Sequence, residues 1–286
     1  MTKTINLNGI KNSFNTTICK LVLFTALSFS FACGSTEIAD SKDVNQSKIH
    51  QYYSISYDAS EGNEYDIFAQ FRFGGNKGTT LKLSEPSQIS VNDIKMKEEQ
   101  SSFRGCFYKL AIKDSNTFNF KFTDTENKIY SNSVVVNSIE IVKVEKIYAE
   151  KNQKIYWQGK SLENKEEIIA IIEDNDNNKV EVSTDIIGSN YISLNAEDME
   201  DLVAGSGQIY MIRKYYSSLQ EVADDGGSVD TEYISMKIPI EIISNKIKSD
   251  ENDEDNDDEN DIVNDDKVSE DDVIDNDDEN DKDDEN

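Results

Sequence analysis

Hydrophobic and polar positions alternate along most of this chain with a period of two. Tyr65, Ile67, Ala69, Phe71 and Phe73 interleave with Asp66, Gln70 and Arg72, the pattern of a half-buried strand. Phe118, Phe120 and Phe122 repeat it, the polar turn Asp124-Thr125-Glu126-Asn127 follows, and residues 129–136 start a new strand. Gly74-Gly75-Asn76 is a second turn, and Ile139 and Ile141 carry the β pattern onward. No long helical period interrupts these runs. Aromatic and β-branched enrichment agrees with strands, so residues 49–148 read as an antiparallel β-sandwich module.

Residues 149–248 read as a second β-sandwich module. Ile168–Ile172 and Val180–Ser183 flank Asp174-Asn175-Asp176-Asn177-Asn178 and predict a hairpin. Gln208–Tyr216 and Glu232–Ile243 predict later strands. One short helix is expected after Asn195, with Asn195 as its N-cap, Glu197 and Asp198 at its positive end, and Met199, Leu202 and Val203 on one face. Gly205 would end it in the left-handed conformation. The expected fold class is therefore all-β: two tandem sandwiches between a leader and an acidic tail.

The first 32 residues have a different pattern. Lys3, Lys11 and Lys20 form a positive region, and Leu21–Ala32 is an apolar run too short to span a bilayer, which takes roughly 20 residues. Ser30 and Ala32 are small residues at −3 and −1 from Cys33, and Gly34-Ser35-Thr36-Glu37 beyond it is polar. This arrangement resembles the lipobox of bacterial lipoproteins, although a lipobox usually has Leu where Ser30 stands and a smaller residue than Phe31. The resemblance implies that Cys33 is lipidated, becomes the mature N-terminus and anchors the chain in the cell envelope. Gly34 after it is the outer-membrane default. Ordinary cleavage after Ala32 is the alternative and would give a secreted protein. Residues 33–48 then read as a polar tether. Among the three cysteines, Cys19 lies in the leader and Cys106 is left over. Cys106 fits a buried apolar position in CFYKLAIK, or a disulfide with an unlipidated Cys33.

Charge narrows the partners. The chain carries −28, and loss of residues 1–32, with three lysines and no acid, makes it about −31. Residues 249–286 hold 22 acidic residues against Lys267 and Lys282. Nothing basic enough to neutralise nucleic-acid phosphates is present, and anionic lipid would repel the tail. A segment of this composition is expected to be disordered. Its heptapeptide DNDDEND occurs twice, at 255–261 and 275–281. The carboxylates of Asp255, Asp257, Asp258, Glu259, Asp261, Asp275, Asp277, Asp278, Glu279 and Asp281 are candidates for low-affinity Ca2+ binding, since Ca2+ favours many oxygen ligands. The heptapeptide is not an EF-hand loop, because Asn260 and Asn280 stand where that loop needs glycine.

Other candidate chemistry is sparse. Asp174-x-Asp176-x-Asn178 copies half of a calcium loop, but Lys179 replaces the glycine and strands flank it, so a hairpin turn accounts for it better. Asp224-Asp225-Gly226-Gly227 is read as a turn. Tyr52, Tyr53, Tyr57 and Phe68 are candidates for stacking on a glycan or a protein partner, or else belong to sandwich rims. His50 is the only histidine, which leaves a His-based metal site or triad without a second member.

The segments LKLSEPSQISVNDIKM, FNFKFTDTENKIYSNSVVV, WQGKSL and ISLNAEDMEDLVAGSGQIYMIRKYY resemble immunoglobulin-like β-sandwich modules of bacterial envelope lipoproteins. The antibody-type Cys…Trp…Cys spacing is absent, since Trp157 follows Cys106 and no second core cysteine exists. The resemblance implies binding, spacing or scaffolding, with no catalytic residue and no cofactor. The expected partners are a membrane, reached through the lipid, and an envelope protein or glycan.

Overall fold

The computed structural model describes residues 37–245. The leader, Cys33 and the acidic tail lie outside the described residues. In chain order the first strands are β1 (Ile38–Asp40), β2 (Ile49–Asp58), β3 (Glu64–Phe73), β4 (Thr79–Lys82), β5 (Gln88–Val91), β6 (Ile94–Lys95), β7 (Lys97–Ser101), β8 (Gly105–Lys113), β9 (Thr117–Thr123) and β10 (Ile129–Val135). They are followed by β11 (Glu140–Ile141), β12 (Lys146–Tyr148), β13 (Gln153–Gln158), β14 (Glu166–Asp174), β15 (Lys179–Thr184), β16 (Tyr191–Leu194), β17 (Gly205–Ser218), β18 (Gly227–Ile234) and β19 (Ile238–Ile243). The fold is all-β, with most pairings antiparallel.

One 12-stranded sheet runs through both halves of the chain. Its central path is β7-β8-β3-β2-β18-β17-β14-β15. The halves meet where β2 pairs in parallel with β18, from Gln51 opposite Gly227 to Asp58 opposite Ile234. Hydrogen bonding thus crosses the division drawn at residue 148. Gly227 is required there: a Cβ would lie 2.6 Å from the Gln51 carbonyl oxygen and 2.9 Å from the Leu219 side chain.

Two smaller sheets are β10-β9-β5-β6 and β11-β13-β16. The first covers one face of β2 and β3. The period-two pattern places Tyr53 and Phe71 on that face, where Tyr53 stacks on Phe120 at 4.3 Å and Phe71 meets Phe122 at 4.4 Å. Tyr65 meets Phe118 at 5.0 Å. Each such ring pair adds about 0.5–1.5 kcal/mol beyond area burial. Phe73, expected in the same row, is 38% exposed because the chain turns away at Gly74 and Gly75, both in positive φ.

In the second half, Ile155, Trp157, Ile192 and Leu194 of the small sheet are buried in one continuous core with Ile168, Ile172, Ile209 and Met211 of the long sheet. An ion pair is sealed there. Arg213 Nε and Nη2 donate to the two Glu166 carboxylate oxygens, and Nη1 donates to the Lys160 carbonyl at 2.7 Å. Glu166 also accepts from Asn137 Nδ2 at 2.8 Å and the Glu163 amide at 2.7 Å. Burial pushes the Glu166 carboxyl up, but these donors outweigh it and hold it below its ordinary value.

Asn132 clamps the halves a second time at the edge of β10. Its Oδ1 accepts from the Gln220 and Glu221 amides at 2.7 and 3.0 Å, and its Nδ2 donates to the Glu221 carbonyl. The Ser131 amide donates to Glu221 Oε2 at 2.7 Å. The loop after β17 therefore occupies hydrogen-bonding groups that an edge strand would otherwise leave open.

Three expectations are corrected. The tether reading of 33–48 fails from Glu37 onward: β1 pairs in parallel with β4, Ser41 and Gln46 are buried, and the Gln46 side chain bridges the Ser41 carbonyl and the Thr125 amide. A polar sequence folds here because its polar groups find partners. The helix after Asn195 is a single 3-10 turn, Ala196–Met199, with Asn195 and Asp198 forming a capping box. Gly205, with φ 138°, opens β17 instead of closing a helix. Finally, the run 232–243 is two strands, because Ser235 turns inward and its Oγ accepts the Met211 amide.

The hairpins β9–β10 and β14–β15 share one turn chemistry. Asp124 Oδ1 accepts the amides of Glu126 and Lys128, and Asp174 Oδ1 accepts those of Asp176 and Asn178. Asn127 and Asn177 take the left-handed conformation at φ 61° and 65°. Asp174 Oδ2 further accepts from Asn178 Nδ2 and the Val203 amide, at 2.8 and 2.9 Å.

Three outcomes follow for stability. Arg213→Met leaves Glu166 buried without its cation and should cost about 3–5 kcal/mol in urea unfolding, whereas Lys143→Ala, at an exposed pair, should leave the midpoint unchanged. Because Glu166 is depressed in the folded state, its contribution is complete above the unfolded carboxylate value of about 4.3 and disappears as pH falls through the folded one. Wild type should therefore lose stability more steeply than Glu166→Gln as pH falls below about 4. Asp174→Ala frees three backbone amides and should lower stability by about 2 kcal/mol. Thermal unfolding with and without Ca2+ checks it, and added Ca2+ should not restore the loss.

Candidate functional site

The long sheet has a covered face and an open one. Strand alternation sends Gln51, Tyr53 and Ile55 into the core and leaves His50, Tyr52, Ser54 and Ser56 outside. Pairing registers align the same outward rows on neighbouring strands: Phe68 and Asp66 on β3, Lys109 on β8, Asp230 and Glu232 on β18, Lys214 and Tyr216 on β17. This open face carries two adjoining clefts of about 860 and 960 Å³ that share Tyr52, Ser54 and Ser56.

Aromatic rings run across the first cleft. Tyr52 meets Phe68 edge-on at 6.1 Å, and Phe68 stacks on Phe107 at 5.4 Å. The Arg104 guanidinium sits 6.0 Å from the Phe68 ring and the Lys109 ammonium 5.7 Å from Phe107. Phe107 is outward in register yet buried, so this face has a small apolar cluster of its own. The β7–β8 loop overhangs it with Phe103, which is 90% exposed. On the opposite rim, the loop after β15 presents Ile186 and Ile187, exposed at 67 and 68%. Tyr216 stands between them, 62% exposed. Exposed apolar groups concentrated at the rims of a concave face mark an interaction surface better than isolated ones do.

Charge divides along the same line. The first cleft is lined by Arg72, Lys97, Arg104 and Lys109 against Asp66 and Glu99. On the open side of the second, Glu167, Asp185, Asp230 and Glu232 stand against Lys165 and Lys214. The seam is Tyr52, whose hydroxyl donates to Asp230 Oδ2 at 2.9 Å. Burial, and then this bond to a carboxylate, push the phenol up to about 12, so it stays protonated as a donor.

The structure separates the four aromatic candidates. Tyr52 and Phe68 lie on the open face. Tyr53 is fully buried, and Tyr57 packs between Tyr65 and Tyr233 at 4.6 and 4.7 Å. Phe103, Arg104, Phe107, Lys109, Tyr216 and the Ile186–Ile187 pair were not singled out from sequence. A signal for Phe103 exists, because a phenylalanine inside the turn-like SSFRG has no strand to bury it. Tyr216 gives none, because KYY does not say which tyrosine faces out.

The remaining candidates are structural. Cys106 is free and buried, and burial raises its thiol to about 11, so it is not a thiolate. His50 Nδ1 lies 2.9 Å from the Asp225 carbonyl and ties β2 to the turn before β18. Gly226 in that turn is in positive φ. The Asp174 carboxylate is occupied by protein donors. Among the described residues no group of three or more His, Cys, Asp or Glu converges as a metal site. None of the described helices is long and apolar enough to cross a membrane. Cys33 and the acidic candidates from Asp255 to Asp281 lie outside the described residues.

No family model matches the chain, and no curated protein does. A solved structure described as "Crystal structure of tetra-tandem repeat in extending region of large adhesion protein" is 12% identical and aligns over 65% of this chain and 48% of that one, with a TM-score of 0.22. The chain thus spans about half the length of that structure, at a similarity too slight to bear on fold or function.

Proposed function

We infer that this is a non-enzymatic binding or scaffold protein of the cell envelope, lipid-anchored through Cys33 and presenting the open face of its long sheet to a partner. The observation that carries the binding role is that face, with Phe103, Tyr216, Ile186 and Ile187 exposed around two joined clefts. Its rings offer stacking area and its charges offer orientation. Each half packs a smaller sheet on part of the long one, which supports reading the halves as two immunoglobulin-like modules fused along β2 and β18. The lipobox-like residues before Cys33 support the anchor.

Two measurements test the reading. Intact mass of membrane-fraction protein should begin at Cys33 with added acyl chains, and Cys33→Ser should lose them; an unmodified soluble protein removes the anchor. The mature protein should bind isolated envelope, and the double variant Phe103→Ser, Tyr216→Ser should bind at least tenfold more weakly with unchanged unfolding. Equal binding would remove the open face as the surface.

A second reading rests on the twofold DNDDEND repeat: a Ca2+-responsive protein acting through its tail. Calorimetric titration should then show millimolar Ca2+ uptake by the full chain that deletion of 249–286 abolishes. Uptake surviving the deletion would assign it elsewhere.

A further inference from the structure

We propose that the open face is the interface of a twofold symmetric dimer, so that its partner is a second copy of this chain. A second copy covering this face presupposes that the face is the binding surface. Four strands lie on each side of the β2–β18 seam: β2, β3, β8 and β7 on one, β18, β17, β14 and β15 on the other. A dyad lying in the interface, parallel to the strands and over the seam, turns each half onto the opposite half of the partner. A closed dimer of this kind needs a surface complementary to itself.

Three properties meet that need. The charges are complementary by count as well as sign: four cations and two anions on one side face four anions and two cations on the other. The two net charges are opposite, and each occurs twice across the dyad. The β7 and β15 rims stand equally far from the seam, and both carry exposed apolar side chains, Phe103 on one and Ile186 and Ile187 on the other. Between the rims, Ser54 and Ser56 are small enough for the faces to approach to the roughly 10 Å spacing of stacked sheets. The superposed area is of the right order: the six strands β8, β3, β2, β18, β17 and β14, about 4.8 Å apart with about six residues of each at 3.4 Å, present about 600 Å² before the rim loops are added, against roughly 800 Å² per partner of a specific complex.

The test is sedimentation of the mature chain carrying Cys33→Ser, so that no lipid drives association. The wild-type face should give twice the chain mass at micromolar concentration. Arg104→Glu with Lys109→Glu makes both halves acidic and should sediment as a monomer. Glu167→Lys with Glu232→Lys makes both halves basic and should do the same. Mixed in equal amounts, the two variants should form a one-to-one dimer, since every contact is again between opposite charges. That rescue cannot arise from misfolding. A wild-type chain that stays monomeric to 100-fold higher concentration, or a mixture that stays monomeric beside a dimeric wild type, overturns the proposal. If the monomer still loses envelope binding in the Phe103→Ser, Tyr216→Ser variant, the open face keeps its binding role and its partner is a different molecule.

Discussion

The parallel pairing of β2 with β18 is the constraint on which the rest of the molecule depends. Eight residue pairs join strands separated by 176 positions, so the first and last thirds of the folded region must come together before either edge is satisfied. Without this seam, β2 and β18 would each expose a row of unpaired amides and carbonyls. With it, the core runs unbroken from Phe71 and Phe122 to Leu194 and Met211. Gly227 allows the close approach, and the bonds of Asn132 to the 220–221 loop hold the two halves together away from the seam.

The seam also creates the open face. The smaller sheets cover one side of the long sheet, and their aromatic and aliphatic rows account for its buried period-two positions. Among the described residues the other side has no layer of its own. Its outward rows keep serines at the centre, charges around them and apolar side chains at the rims, a composition that water tolerates and a complementary surface can displace. Two separate sandwiches would each present a narrow strip of this kind. Joined by parallel pairing, the strips form one surface with opposite charge on its two sides.

Much of the strand content was legible because alternation is local. The rows Tyr65 to Phe71 and Phe118 to Phe122, and the Asp174 turn, follow from residues within reach of one another. The seam was not legible, since nothing in HQYYSISYD or GSVDTEYI says that one pairs with the other, or in which direction. The polar segment after Glu37 looked like a linker because its partners, Ser84, Thr80 and Thr125, are more than 40 residues away. The face was half visible. Alternation placed Phe68 opposite the core, but sorting Tyr52 from Tyr53, or Tyr216 from Tyr215, needed the register of neighbouring strands.

Specific hydrogen bonding marks which polar groups serve the fold and which remain for recognition. Arg213 and Glu166, Asn132, Asp124 and Asp174 are buried and engaged by donors or acceptors from distant strands or from their own turns. Removing any of them leaves a desolvated partner, so their role is structural. On the open face the pattern differs. Arg104 and Lys109 lie over rings, Lys97 and Glu99 are 3.9 Å apart at exposed ends, and Lys214 and Glu232 are 3.8 Å apart. Such contacts are weak in water. They gain strength once an opposing surface excludes water, and they do so only for a surface that supplies the opposite sign at each position. The face is thus poor at stabilising its own fold and well arranged to discriminate among partners.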